Sequence, residues 1–111
     1  MPYEFGAVVL VPFPFTDQRA SKRRPAVVVS NRIYNIARPD VVVMAVTSQF
    51  RASPALGEVF VTQWQEAGLL KPSAVKPVFT TIEQRLVIRD LGVLQLPDQV
   101  ALRKAIIETI G

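Results

Sequence analysis

The segment from Gly6 to Asn31 constrains the fold more than any other part of the chain, because two valine-rich runs flank a long polar connector. Valine favours pleated strands, so Ala7–Phe13 and Arg24–Asn31 are predicted to be strands. The sequence Pro12-Phe13-Pro14 ends the first strand, since proline cannot donate to a ladder. The connector, Phe15–Arg23, is expected to carry function, because loops accept polar residues that a core would reject.

Arg24 occupies a constrained position at the start of the second predicted strand. It precedes Pro25, and the proline ring biases the preceding backbone towards an extended conformation. Pro25 itself fits the first position of a strand, where its missing N–H costs least. A permanently charged guanidinium is therefore expected at a strand entrance on a stiffened backbone.

The rest of the chain continues as short apolar runs bounded by proline, glycine and polar residues. These runs predict strands at Val41–Gln49, Gly57–Thr62 and Val78–Gln84, an extended piece at Ser73–Lys76, a helical turn at Ile33–Ala37 and a turn within Leu86–Leu94. The nearly continuous apolar run of the third strand implies burial on both faces, or one face in a core and the other at a subunit contact.

The last segment, Pro97–Ile110, is predicted to be a helix. Proline lies at its start, Asp98 in its first turn and a glycine after its end,. Leu102, Ile106 and Ile110 repeat every four residues and form one apolar stripe, which is expected to pack against the sheet. Together the elements predict a single mainly β domain over residues 1–111, a small antiparallel barrel or sandwich with a C-terminal helix,.

Positive charge is concentrated in one part of the sequence. The net charge is +4, and the segment from position 19 to 38 holds six cations and no acid. They are Arg19, Lys22, Arg23, Arg24, Arg32 and Arg38. Phosphate backbones attract such clusters, although a solvated face explains the same pattern.

The composition also excludes several kinds of chemistry. The chain has no histidine and no cysteine. It therefore has no serine–histidine triad, no thiolate chemistry and no disulfide, and it lacks the commonest zinc ligand. We also find no phosphate-binding glycine loop, so neither a metal nor a cofactor is expected.

The polar end of the third strand faces the cationic region if strands two and three are antiparallel neighbours. The start of one strand then lies beside the end of the other, which brings Arg24 close to Thr47, Ser48 and Gln49. A guanidinium beside hydroxyl and amide groups is a good receptor for phosphate. An ordinary strand end remains the alternative interpretation of these three polar residues.

Other candidate residues have structural explanations of equal weight. Phe13, Phe15 and Phe50 flank the cationic region, where they would either stack bases or belong to the core. Thr80, Thr81 and Glu83 form a further polar group that alternating exposure on a strand explains equally well.

No membrane segment or leader is expected. The longest nearly apolar run, Phe5–Phe15, is too short to cross a bilayer, and the first residues lack a basic region,. A cytoplasmic location is therefore expected.

Three motifs resemble those of the PemK/MazF family of toxin endoribonucleases and follow one another in the same order. They are Val9–Asp17, Lys22–Ser30 and Ala45–Gln49, and the likeness extends to Ala67–Leu69 with Pro72-Ser73 and to Thr81–Glu83. One departure is Ala20, where relatives often have glycine. The resemblance covers most of the chain.

This resemblance implies an SH3-like small β-barrel, the PemK/MazF/CcdB-like toxin fold, shared with toxins that poison gyrase. It also implies the toxin of a type II toxin–antitoxin system, a homodimer, and a cognate antitoxin with an acidic, partly disordered segment. The implied activity is metal-independent, sequence-specific cleavage of single-stranded RNA. Two alternatives are a toxin of the same fold that poisons DNA gyrase without cutting RNA, and a nucleic-acid-binding module without catalysis.

The resemblance also assigns roles to individual residues. The family's catalytic arginine and threonine fall on Arg24 and Thr47. Substrate binding is expected from seven further residues, namely Phe15, Thr16, Lys22, Arg23, Ser48, Gln49 and Thr81. Given the RNA substrate that the resemblance implies, the absence of histidine, cysteine and a metal-ligand cluster leads us to expect attack by the RNA 2′-OH.

Overall fold

The computed structural model describes residues 3–13 and 22–111 of the chain. Six strands and two helices occur in these residues. They are β1 (Ala7–Phe13), β2 (Lys22–Val28), α1 (Arg32–Ala37), β3 (Asp40–Thr47), β4 (Val59–Phe60), β5 (Ala74–Glu83), β6 (Arg89–Val93) and α2 (Leu96–Ile110). A short 3-10 turn, Gln84–Leu86, joins β5 to β6. The predicted connector between the first two strands lies largely in residues 14–21, outside the described residues.

The six strands form one antiparallel sheet in the order β4-β5-β3-β2-β1-β6. The predicted antiparallel pairing of the second and third strands is confirmed, with Ala26 opposite Ala45. The sheet curls, and the turn that follows its edge strand β4 reaches the other edge, β6. The contact is so close that a Cβ atom added to Gly68 would lie 2.0 Å from the carbonyl oxygen of Leu91. Gly68 also has a φ of +87°, a conformation that suits glycine,.

Both faces of the central strands are buried, which is the first of the two alternatives given for the third strand. One face contributes to a core that includes Leu102 and Ala105 of α2. The opposite face forms a second cluster, which includes Val9, Val11 and Val43. Because alternate residues of a strand point to opposite faces, a run of valines supplies both clusters at once. The mainly β fold with a C-terminal helix is therefore confirmed.

The break predicted at Pro77 is wrong, because β5 runs through this residue without interruption. The ladder between β3 and β5 shifts its register between Met44 and Val46, and residues 76–78 fall in that irregular part. Among the described residues, strand β4 pairs with the start of β5, at Ala74 and Val75. Proline is tolerated at such irregularities because the regular ladder needs no N–H there.

The turn predicted within Leu86–Leu94 is also wrong, since Asp90 and Gly92 lie in β6. They pair with β1 across a bulge between Val8 and Val9. Gly92 is needed for packing rather than for a turn, because a Cβ atom there would lie 2.4 Å from the carbonyl oxygen of Ala67.

The predicted helix begins one residue earlier than expected, at Leu96, and packs against the sheet. Its predicted apolar stripe is only partly buried. Leu102 is buried and Ile106 half-buried, whereas Ile110 is 66% exposed. No helix in the described ranges is long and apolar enough to cross a membrane.

Candidate functional site

An open cavity of about 750 Å³ lies where β2 begins and β3 ends. Six of the residues predicted from the sequence line it, namely Lys22, Arg23, Arg24, Thr47, Ser48 and Gln49. The strand register explains why they meet. Ala26 lies opposite Ala45. Arg24 and Thr47 each lie two residues further along, towards the same end of this strand pair.

The Thr47 hydroxyl is held by the backbone just beyond its strand. Its Oγ1 accepts a hydrogen bond from the Gln49 N–H at 3.1 Å and lies 3.3 Å from the Gln49 carbonyl oxygen, to which it donates. Such local bonds orient a threonine side chain at a strand end. A phosphate oxygen could replace the Gln49 carbonyl as acceptor while the N–H continues to hold the hydroxyl in place.

The cavity is strongly cationic. Among the described residues that line it, five are basic, Lys22, Arg23, Arg24, Lys71 and Arg89, and one is acidic, Asp90. Cations that converge on one open cavity favour an anionic ligand with several negative charges.

Asp90 is engaged by a neighbour on the N-terminal segment. The Tyr3 hydroxyl donates to Asp90 Oδ1 at 2.7 Å. Partial burial, followed by this hydrogen bond and the negative charge of Asp90, raises the pKa of Tyr3 to about 12. Tyr3 therefore remains a hydrogen-bond donor throughout the neutral range.

Lys71 and Arg89 were not predicted from the sequence to belong to the site. Lys71 lies in the segment between the Gly68 contact and β5, and the Ser73 hydroxyl donates to its carbonyl oxygen at 2.8 Å. Arg89 begins β6, which was predicted to contain a turn. The family motif Ala67–Leu69 lies in this segment, but the resemblance assigned no role to a basic residue there.

Three predicted residues are not brought to the cavity by the described parts of the chain. Thr81 is exposed on β5 opposite Val42 and does not line it. Phe15 and Thr16 lie outside the described residues. Their substrate-binding roles stay predictions.

The two described phenylalanines that were candidate stacking residues differ in their surroundings. Phe13 is 3% exposed and belongs to the second cluster, so its interpretation as core is confirmed. Phe50 is 37% exposed, and its ring centroid lies 4.9 Å from that of Phe60. Within the described ranges, no group of three or more histidine, cysteine or acidic side chains could hold a metal ion.

These features define a class of small, mainly β proteins with a cationic cavity at the strand ends. A family model described as "PemK-like, MazF-like toxin of type II toxin-antitoxin system" matches residues 4–110. The chain therefore belongs to the PemK/MazF family of type II toxins. A comparison with curated proteins finds no match.

Solved structures with a similar fold include two MazF proteins and an endoribonuclease. "Mycobacterium tuberculosis toxin MazF-mt6" is 24% identical with a TM-score of 0.71, and the match covers 90% of this chain and 91% of that chain. "Crystal structure of MazF (Form-I) from Deinococcus radiodurans" is 23% identical with a TM-score of 0.73, covering 100% and 98%. "Endoribonuclease in complex with its cognate antitoxin from Mycobacterial species" is 17% identical with a TM-score of 0.75, covering 93% and 89%. At these identities the likeness establishes the MazF-like toxin fold.

Proposed function

We propose that this toxin is a cytoplasmic endoribonuclease that cuts single-stranded RNA at short sequences without a metal ion. The observation that carries the proposal is that Arg24 and Thr47 line one cationic cavity. Family membership and the fold support the same activity.

The RNA supplies its own nucleophile in the proposed reaction. The 2′-oxygen forms a bond to the adjacent phosphorus, the bond from phosphorus to the 5′-oxygen breaks, and the proton of the 2′-OH is balanced by one gained at the leaving 5′-oxygen. The products are a 2′,3′-cyclic phosphate and a 5′-OH. The protein must hold the reacting groups in line and stabilise the charge that develops on the phosphate oxygens.

Arg24 and Thr47 suit these two tasks. Arginine is permanently protonated, so Arg24 stabilises charge and does not act as a base. Its planar guanidinium presents several donors that match phosphate oxygens. The Thr47 hydroxyl, oriented by Gln49, donates to a phosphate oxygen or positions the 2′-OH.

We assign substrate binding to the surrounding polar and basic residues. Lys22 and Arg23 supply positive charge for the RNA backbone, while Ser48 and Gln49 offer hydroxyl and amide groups in the same cavity,. Phe15, Thr16 and Thr81 complete the proposed set on the strength of the family resemblance.

The experiment that tests the activity maps the ends of fragments from a long unstructured RNA, with a chelator present. We expect cleavage to survive the chelator, 2′-deoxy substitution at the cut to block it, and the ends to be a cyclic phosphate and a 5′-OH. Strict dependence on Mg²⁺ or a 5′-phosphate product would contradict the mechanism. Salt-sensitive RNA binding without fragments would favour a non-catalytic binding module.

Variants of the two central residues test their roles. Arg24→Ala is expected to lower the rate at least about 10²–10³-fold with the fold retained, the order measured when a transition-state donor is removed. Thr47→Val, which keeps the shape but loses the hydroxyl, should lower the rate, whereas Thr47→Ser should retain most of it. Arg85→Ala, an exposed arginine paired with Glu83 outside the cavity, is the matched control. Near-normal cleavage by Arg24→Ala would refute the assignment.

We also propose that the protein is a homodimer. Leu96, Val100, Ile107 and Ile110 of α2 are each at least 60% exposed. At 100° per residue these four positions fall within about 80° of one another, on the side of the helix opposite the buried Leu102 and Ala105,. An exposed apolar stripe of this length is typical of a protein contact surface.

We further propose that a cognate antitoxin inhibits the enzyme with an acidic, partly disordered segment. The cationic cavity that attracts RNA also attracts such a segment, which can wrap a large surface and fold as it binds. Two neighbouring solved structures are described as complexes with an antitoxin or with MazE, which supports a partner of this type. The segment would cover Arg23, Arg24 and Thr47 or distort the connector before Lys22, and thereby exclude RNA.

A further inference from the structure

Two cations in the cavity have no role in the proposed reaction. Lys71 and Arg89 line it together with Arg24, but they come from later parts of the chain than the two strands that carry the reaction. Their position therefore needs a separate explanation.

The sheet register separates Arg89 from the reacting centre. Leu10 of β1 pairs with Pro25 on one side and with Arg89 on the other, so these three residues lie in one row across the sheet. Neighbouring strands lie about 4.8 Å apart, which places the Arg89 backbone roughly 10 Å from Pro25 and hence about as far from the strand position that carries Arg24. Arg89 shares the face of its row partners, whereas Arg24 lies one position before Pro25 along β2, pairs with Val11 and therefore points to the opposite face,. The two arginines thus suit two different phosphates.

Lys71 belongs to a segment that a close contact brings to the cavity. Gly68 lies directly against the backbone of Leu91 in β6. The segment then continues to Lys71, whose carbonyl oxygen accepts a hydrogen bond from the buried Ser73. The first anchor places this segment beside the strand that carries Arg89, and the second holds the Lys71 backbone itself.

None of the four ion pairs among the described residues involves Lys71 or Arg89. Asp90 is adjacent in sequence, but successive side chains of a strand point to opposite faces. Its carboxylate accepts instead from Tyr3, which packs beside the second cluster. Two exposed cations that line one cavity and take part in none of these ion pairs suit an anionic ligand,.

We propose that Lys71 and Arg89 form a phosphate subsite, which holds an RNA phosphate flanking the one that is cut. The inference rests on the proposed endoribonuclease function and extends it. Both are positioning residues: they fix where the strand lies relative to Arg24 and Thr47, and they do not touch the reacting atoms.

Steady-state cleavage of a defined oligoribonucleotide tests the subsite. Arg89→Gln and Lys71→Gln should each raise KM about tenfold, with kcat within about twofold of wild type, because one charge-assisted contact to the substrate is lost. The slope of log KM against log salt should fall by about 0.7 for each cation removed, the value for single strands. Arg89→Lys should restore this slope. Lys104→Gln, which removes an exposed charge of α2 outside the cavity, is the control and should change neither quantity.

Neutral methylphosphonate linkages, placed one at a time along the oligonucleotide, locate the phosphate that is bound. In the wild type, one flanking position should raise KM about tenfold. In Arg89→Gln the same position should have no further effect, whereas the effects of other positions should be retained. The subsite would be overturned, with the proposed function intact, if both variants kept the KM and the salt slope of the wild type. It would also be overturned if the effects of Arg89→Gln and of the methylphosphonate on KM were additive at every position.

Binding separates the failure of this inference from the failure of the proposed function. If the wild type does not cleave RNA, the proposed function fails, and fluorescence anisotropy with the same methylphosphonate series then tests the subsite. A position whose effect on affinity disappears in Arg89→Gln would still support it. Equal affinity of wild type and Arg89→Gln for every oligonucleotide would overturn it.

Discussion

Replacement of Asp98 tests how the wall of the cavity is attached to the rest of the protein. Asp98 lies in the first turn of α2 and is 2% exposed. Its Oδ1 accepts from the Thr62 N–H at 3.0 Å and from the Thr62 hydroxyl at 2.8 Å, and its Oδ2 accepts from the Gln63 N–H at 3.0 Å. The carboxylate therefore ties the helix to the start of the turn that leads to Gly68 and Lys71.

The size of the effect follows from these three bonds. A hydrogen bond to a charged group contributes about 1.5–3 kcal/mol, but bonds to one carboxylate are not additive. Thr62 and Gln63 are exposed, so water can satisfy part of what Asp98→Ala leaves unpaired. We expect Asp98→Ala to lower the free energy of unfolding by about 3 kcal/mol. Asp98→Asn, which keeps one acceptor oxygen, should lower it by about half as much.

Urea denaturation measures both the global and the local effect. Trp64, the single tryptophan, lies in the turn and packs against the core, so its fluorescence reports the turn, whereas far-UV circular dichroism reports the whole fold. In Asp98→Ala we expect the fluorescence transition to precede the dichroism transition, because the turn loses its anchor first. Glu66→Ala, which removes an exposed acid from the same turn, should change stability by no more than about 0.5 kcal/mol,.

One result would refute this reasoning. If Asp98→Ala unfolds with a free energy within about 1 kcal/mol of wild type and the two transitions coincide, the three hydrogen bonds do not hold the turn.

Two further predictions concern partners. Ile107→Glu places an unpaired carboxylate in the exposed stripe of α2 and should raise the dimer dissociation constant, measured by analytical ultracentrifugation, at least about 100-fold. Ala101→Glu, on the same helix outside the stripe, is the control. A wild-type monomer at micromolar concentration would contradict the dimer. Titration of an antitoxin peptide against a bound, uncleavable RNA analogue should release the RNA, and simultaneous binding of both with unchanged RNA affinity would exclude the proposed inhibition.

Local sequence patterns predicted the features that depend on neighbouring residues. The bounds of β1 are as predicted, because the valine run and Pro12-Phe13-Pro14 specify a strand and its end. The C-terminal helix is likewise specified by its own proline and periodicity. Arg24 and Thr47 were predicted to meet because the sequence places them at the start of one strand and the end of the next. β2 begins two residues earlier than predicted, at Lys22, and the antiparallel pairing still brings both residues to one cavity.

Features that depend on contacts between distant segments were decided by the tertiary structure. β5 continues through Pro77 because a register shift against β3 removes the need for its N–H. Asp98 resembles an ordinary helix-start acid in the sequence, and its bonds to Thr62 and Gln63 exist only once the helix packs. Lys71 and Arg89 are 18 positions apart (89 − 71) and share no motif. The close contact of Gly68 with Leu91 brings their segments to one cavity, and no local periodicity encodes a contact of that kind,.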